Sequence, residues 1–463
     1  MAVDQVAMVL LGAASVALVF VALAHSGSST VLAAGSVLGA AALVLLAFRS
    51  MEAFVLVVLV ARSGLDGLHA VGHTASTDPA TALGAVFTVV ALLWLASRRL
   101  SGRKHPVTAP SVTLLAFLVA AALATLGSEA PGHSLGEVAR LATAILMFFV
   151  VDRLCEDTRR PDRFVLAVLG AAVVPVAVAL AGPLVGVHRT EVKDRIVRAV
   201  STFAQSNPFG HFLTLVLVVL FAYVLVRRDR TRVVALVAAV PVLLVFGLTY
   251  TRLAWVGAVI AALVMLWVSG HRRLAPALVV LLVVGAVVTP QVRHRLDQLV
   301  RPNAAVSGSE SGFGWRIGHW GDVAGLSGHN PVTGIGPDVV ALRLSDHEPT
   351  HNDYLGVFVE LGVVGLVTYA GALASLVALA VRAQRRAAGE HARTIALAFV
   401  GAITAYLVAS AAANLLGQVV IMWYLLAVAG AAAWVARHGR LPADSTSGVV
   451  DAVHVPPGGR EPA

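Results

Sequence analysis

Apolar runs of about 17–25 residues recur along almost the whole of this chain, and each, as a helix, is long enough to cross a hydrocarbon core of about 30 Å. They lie near 6–24, 31–48, 52–65, 80–97, 110–126, 138–152, 164–186, 208–226, 233–249, 253–270, 274–290, 353–381, 394–413 and 418–436. A soluble domain is roughly half apolar and a quarter charged. Here 58% of 463 residues are hydrophobic and 13% charged. The expectation is an all-α polytopic integral membrane bundle of about 12–14 transmembrane helices. One long extramembranous loop would carry short amphipathic helices.

In chain order, residues 1–186 supply the N-terminal helices, and 187–290 the central helices with an outer segment at 187–207. Residues 291–352 form the long loop, 353–436 the C-terminal helices, and 437–463 a disordered tail. Only Asp4 carries charge between Met1 and Gln5, and no cleavage pattern stands out, so the first run is expected to be kept as a span.

The cations orient the bundle. They gather at Arg98–Lys104, Arg153–Arg163, Arg227–Arg232, Arg272–Arg273, Arg382–Arg393 and Arg437–Arg440. Counted alternately, these connections share one side, which the positive-inside rule makes cytoplasmic, with both termini. The net charge of +9 is then a topology signal, and its dispersal over short loops argues against a nucleic-acid partner. The single cysteine, Cys155, falls in a cytoplasmic connection and can form no intramolecular disulfide.

Most outer connections are very short; the exceptions are 187–207 and 291–352. A loop as long as the second is usually functional or carries its own helices. QVRHRLDQLV (291–300) spaces Val292, Leu296, Leu299 and Val300 as an interfacial helix does. After a Ser/Gly-rich break at 303–312, FGWRIGHWGDVAGL puts Phe313, Ile317, Trp320 and Ala324 on one helical face and Arg316 one turn from Trp320. The turn NPVTGIGPD, with Pro331, Gly334, Gly336 and Pro337, ends that helix.

Four outer patches follow in order: RAVSTFAQSNPFGHFL (198–213), LTYTRLAWVGA (248–258), GWRIGHWGDVAGLSGHNPVTGIGP (314–337) and HNDYLGVFVELGVVG (351–365). Over roughly 190–370 they resemble the O-antigen ligase and O-antigen polymerase superfamily, polytopic glycosyltransferases of the bacterial surface. The resemblance implies a protein of the bacterial cytoplasmic (inner) membrane with its active site outside. It implies a polyprenyl-diphosphate-linked glycan donor, a glycan, lipid or protein acceptor, and no cofactor or metal. It also admits contact with other polysaccharide export or assembly proteins.

The residues support matching roles. Arg252 and Arg316 are cations beside hydrocarbon, costly unless they snorkel or are paired, and a planar guanidinium grips two phosphoryl groups bidentately. His351 is the candidate base, because a neutral imidazole near its ordinary pKa of about 6.5 accepts a hydroxyl proton. Arg198, Asn207 and His211 border a span entrance and are candidate substrate contacts. Trp320 would stack on a guanidinium or under a sugar, with Asn352 and Tyr354 orienting. Glu360, about two turns into its span, needs a partner; it would brace the bundle or position Arg252 or His351, while Gly334 and Gly336 shape the turn. The outer acids Asp322, Asp338, Asp346 and Asp353 lack the Asp-x-Asp pattern of metal-dependent glycosyltransferases.

A flippase or other transporter would carry polar residues at mid-membrane, whereas here they collect at one face. A structural scaffold would need no Arg252, Arg316 and His351 constellation. Ligase and polymerase both remain open, with a capsule or exopolysaccharide polymerase as the first choice.

Overall fold

The computed structural model describes residues 29–66, 79–103, 105–193, 196–280 and 313–441. The run at 6–24, most of that at 274–290, the interfacial helix at 291–300 and the stretch 303–312 lie outside the described residues, as does the tail from 442.

The other twelve runs fall on helices: α1 (Ser29–Arg49), α2 (Met51–Leu65), α3 (Pro79–Leu100), α4 (Ala109–Leu126), α5 (Pro131–Thr158), and α6 and α7 (Asp162–Ala171, Val173–Ala181) sharing one run. Then come α8 (Ser206–Val226), α9 (Arg230–Leu248) and α10 (Arg252–Val268). The loop contributes α11 (Phe313–Gly325) and α12 (Val340–Arg343), and the chain ends with α13 (Asp353–Arg386), α14 (Glu390–Ser410) and α15 (Val419–His438). Among the described residues nine helices are long and apolar enough to cross a membrane, α6 and α7 counting as one. The chain is an all-α polytopic membrane protein, with one small departure among the described residues. Residues 190–199 form a hairpin of β1 (Thr190–Lys193) and β2 (Ile196–Ala199), with Glu191 opposite Arg198. An opposite-charge cross-strand pair and β-branched neighbours favour that pairing.

α15 is the axis of the bundle. It is buried along almost its whole length, as a helix apolar on every side must be. Its small residues let backbones approach: a Cβ on Gly430 would lie 3.0 Å from the Asp152 amide of α5. Trp423 donates to Thr143 at 2.9 Å and Tyr424 to the Leu59 carbonyl at 2.7 Å, so the polar tips of these two adjacent side chains are satisfied.

The basic connections close on acids at one end of the bundle. Buried Asp152 takes His105 at 2.6 Å and Arg437 at 2.5 Å, Arg437 also reaches Glu156 at 2.7 Å, and Arg163 meets Glu52 at 2.8 Å. α4 runs from this end to the opposite one, where the segment after it meets the loop: the Glu129 amide donates to Ile335 and the Ser134 hydroxyl to Pro337.

At that loop end α13 is broken. Gly362 adopts φ 65°, ψ −166°, which interrupts the helical ladder. The carbonyls of Val359 and Glu360 accept instead from Ile335 (3.1 Å) and Gly336 (2.9 Å), while the amides of Val363 and Val364 donate to Pro331 (3.0 Å) and Val332 (3.3 Å). Four backbone groups that a continuous helix would pair internally are thus traded with the loop, and none is orphaned in a poorly hydrated region. Gly334 and Gly336, both at positive φ, allow the approach; side chains there would run into the Glu360 backbone and Ser128.

Candidate active site

Every expected site residue is described, and all lie at the loop end or on the first turns of helices that begin there. α11 docks through a different face from the one its apolar spacing suggests. Ile317 and Ala324 are exposed; His319 and Val323 are buried, with Trp315, Arg316 and Trp320 half-buried beside them. The reason is polar. His319 bonds the Pro349 carbonyl at 3.0 Å and lies 3.2 Å from the Asp346 carboxylate, and Trp320 donates to the Thr350 carbonyl at 3.0 Å. Both therefore tie α11 to the strand of loop that ends at His351. His319, missed from sequence, also stacks on Trp315 with ring centroids 4.6 Å apart. Its i+3 spacing from Arg316 and i+4 spacing from Trp315 were the available signal.

His351 sits at φ 52°, a conformation uncommon for a residue with a side chain. Asn352 then caps α13, its side-chain oxygen accepting from the amides of Tyr354 (3.0 Å) and Leu355 (3.1 Å). The His351 ring lies edge-on to Trp315 at 5.9 Å and bonds Glu348 at 3.3 Å. Burial lowers its pKa first, and the nearby Arg316 charge lowers it further; Glu348 pulls the other way. The net lowering favours the neutral imidazole.

Arg316 donates to the Ala412 carbonyl at 2.9 Å, in the turn between α14 and α15. Burial shifts its pKa down from the ordinary range, yet an arginine keeps its charge. Asp353, buried, accepts from the amides of Leu415 (3.1 Å) and Leu416 (3.2 Å) in the same turn. Tyr354 donates to the Leu407 carbonyl at 2.9 Å. Arg316 and Asp353, two residues after His351, are therefore both anchored to one turn.

A second group is built on α8 and α10. Arg198, buried, lies 3.4 Å from the Ser206 hydroxyl and 3.9 Å from Glu191. Thr251, immediately before Arg252, donates to the Ser206 carbonyl at 3.1 Å and lies 3.5 Å from Asn207. Gly210 is required there, because a Cβ would lie 2.8 Å from Thr251. One turn beyond Asn207, buried His211 is within electrostatic reach of Arg316. The first turns of α8 thus join the two groups. Glu360 stands apart: its carboxylate accepts from the amides of Asp338 and Val340, so it serves the glycine turn.

Residues 237–370 match the O-antigen ligase family model. The match runs from within α9 to within α13 and takes in Arg252, Arg316 and His351, while Arg198, Asn207 and His211 precede it. No curated protein matches the chain. The segment 237–370, on which the central polar residues of the site stand, is thus the part of the chain that is similar to the O-antigen ligase family.

Proposed function

We propose that this protein transfers glycan from a polyprenyl-diphosphate donor to a hydroxyl acceptor, at the outer face of the bacterial cytoplasmic membrane, in surface-polysaccharide synthesis. The observation that carries the reading is a histidine at the start of α13 within electrostatic reach of a guanidinium held by the Ala412 carbonyl, both inside the family-matched segment. The end where basic connections meet acids is read as cytoplasmic by the positive-inside rule, which puts the loop end outside.

In this reading His351 takes the proton of the acceptor hydroxyl as its oxygen attacks the anomeric carbon. The bond from that carbon to the diphosphate breaks, and the electron pair leaves with the diphosphate. Arg316 and Arg252 stabilise the charge that develops there, the role a divalent cation plays in other glycosyltransferases. A single displacement inverts the anomeric configuration. Asn352 and Tyr354 fix the helix start behind His351, and Trp320 fixes the loop in front of it.

A capsule or exopolysaccharide polymerase is the form we favour. Glycan length profiling of a deletion strain tests it. Loss of long chains with single repeats still attached is the expected result; complete loss of attachment indicates a ligase, and an unchanged profile removes the transferase reading.

The arginines provide a second test. Arg316→Lys and Arg252→Lys keep the charge and lose the planar fork, so both are expected to cut transfer strongly at normal membrane abundance. Lysine has no second donor nitrogen to hold Ala412 and a phosphoryl oxygen together in the geometry Arg316 has. Full activity in both variants would leave the arginines as lipid anchors.

A further inference from the structure

Behind the strap that carries His351, residues Pro349–Asp353, lies a cleft of about 110 Å³. At ~10–15 Å³ per water it has room for roughly seven to eleven waters, on the order of the space of one sugar ring. Phe117 and Leu141, from α4 and α5, with Val357 of α13, form an apolar wall. Facing it are Glu137, Arg140, Asp338 and Asn414, together with Thr350 and Asn352 of the strap. Arg252, Arg316, His211 and His351 are not among its lining residues.

We propose that this cleft binds one neutral sugar residue of the acceptor glycan. The electrostatics argue against phosphate, because Arg140 is already paired with Glu137 and Asp338 with His133, leaving the rim no surplus of positive charge. What the rim offers is a mixture of carboxylate acceptors, amide groups and a guanidinium, the set that satisfies hydroxyls which both donate and accept. Asn352 has its side-chain oxygen committed to the α13 cap, so its NH2 is the group that faces a ligand. The apolar wall suits the C–H face of a pyranose. Thr350 and Asn352 lie on either side of His351 in sequence and both line the cleft, so a sugar held there lies against the strap that carries the base. The acceptor assignment rests on the transferase reading; the sugar site itself does not.

The test uses the full chain in lipid nanodiscs and saturation-transfer NMR with methyl glycosides of glucose, galactose, mannose and N-acetylglucosamine. At least one neutral glycoside is expected to bind without competition from pyrophosphate. Leu141→Trp, which fills the apolar wall, and Asn414→Ala, which removes a rim amide with little risk to folding, are each expected to weaken that binding at least tenfold. No binding by folded protein, binding unchanged in Asn414→Ala, or displacement by pyrophosphate would overturn the site. In transfer assays Asn414→Ala is expected to raise the acceptor KM and leave the donor KM unchanged; a rise confined to the donor would make the cleft a donor subsite and overturn the acceptor assignment. Glycoside binding needs no turnover, so a chain that binds sugar but transfers none would remove the transferase reading and leave the cleft standing.

Discussion

If His351 is the base of the proposed transfer, His351→Ala is expected to abolish transfer while donor binding survives, because a positioned general base contributes about 10²–10⁴-fold in rate and the proposed diphosphate grip belongs to Arg252 and Arg316. His351→Gln should be nearly as inactive: an amide keeps a hydrogen bond to Glu348 but cannot take a proton. The pH profile adds a sign. Activity needs the neutral imidazole, and burial together with Arg316 holds its pKa below the ordinary value, so the acid limb of the rate profile should fall below about 6.5. Glu348 opposes that shift, and Glu348→Gln should move the limb to still lower pH. A His351→Gln enzyme with wild-type turnover would reduce this residue to an orienting role.

Gly362→Ala is expected to have the second largest effect. At φ 65°, ψ −166° the backbone is in a region open essentially to glycine, where a side chain costs about 1–3 kcal/mol. The added methyl would also meet the Val332 and Thr333 backbone of the docked loop. The exchange of four hydrogen bonds would be disturbed, and with it the path from α11 to His351. Lower thermal stability, faster amide exchange at Ile335 and Gly336, and loss of activity are expected together. Gly318→Ala is the control: it is an exposed helical site with open space around it, where alanine should be neutral or favourable by about 0.5–1 kcal/mol. A Gly362→Ala protein with normal melting and exchange would contradict the broken-helix geometry.

Much of this was legible in the sequence because hydrophobic length is a strong signal and close spacing within one helix is another. Twelve apolar runs fall on described helices, and Arg316, Trp320, His351 and Asn352 could be picked out from their own loop. What was not legible depended on partners distant in the chain. Nothing local to VELGVVG says that its carbonyls are claimed by residues about 25 positions earlier, so a continuous span was read across Gly362. The sequence leaves Glu360 to brace the bundle or to position the catalytic groups, and says nothing of the Asp338 and Val340 amides that its carboxylate meets. The docking face of α11 was read from apolar spacing, but the buried stripe is set by the bonds of His319 and Trp320 to loop carbonyls. The hairpin at 190–199 escaped because two four-residue strands carry too little periodicity to read.

The turn between α14 and α15 also bears on the order in which the molecule can be made. Arg316 and Asp353 are both held by residues 412–416, which leave the ribosome about a hundred and about sixty positions after them. A nascent chain with its loop already made would still lack the anchor that sets the Arg316 guanidinium, and α13 would lack the contact that seats its first turn. The site should therefore be complete only when α15 has entered the bundle, which keeps a half-inserted chain inactive.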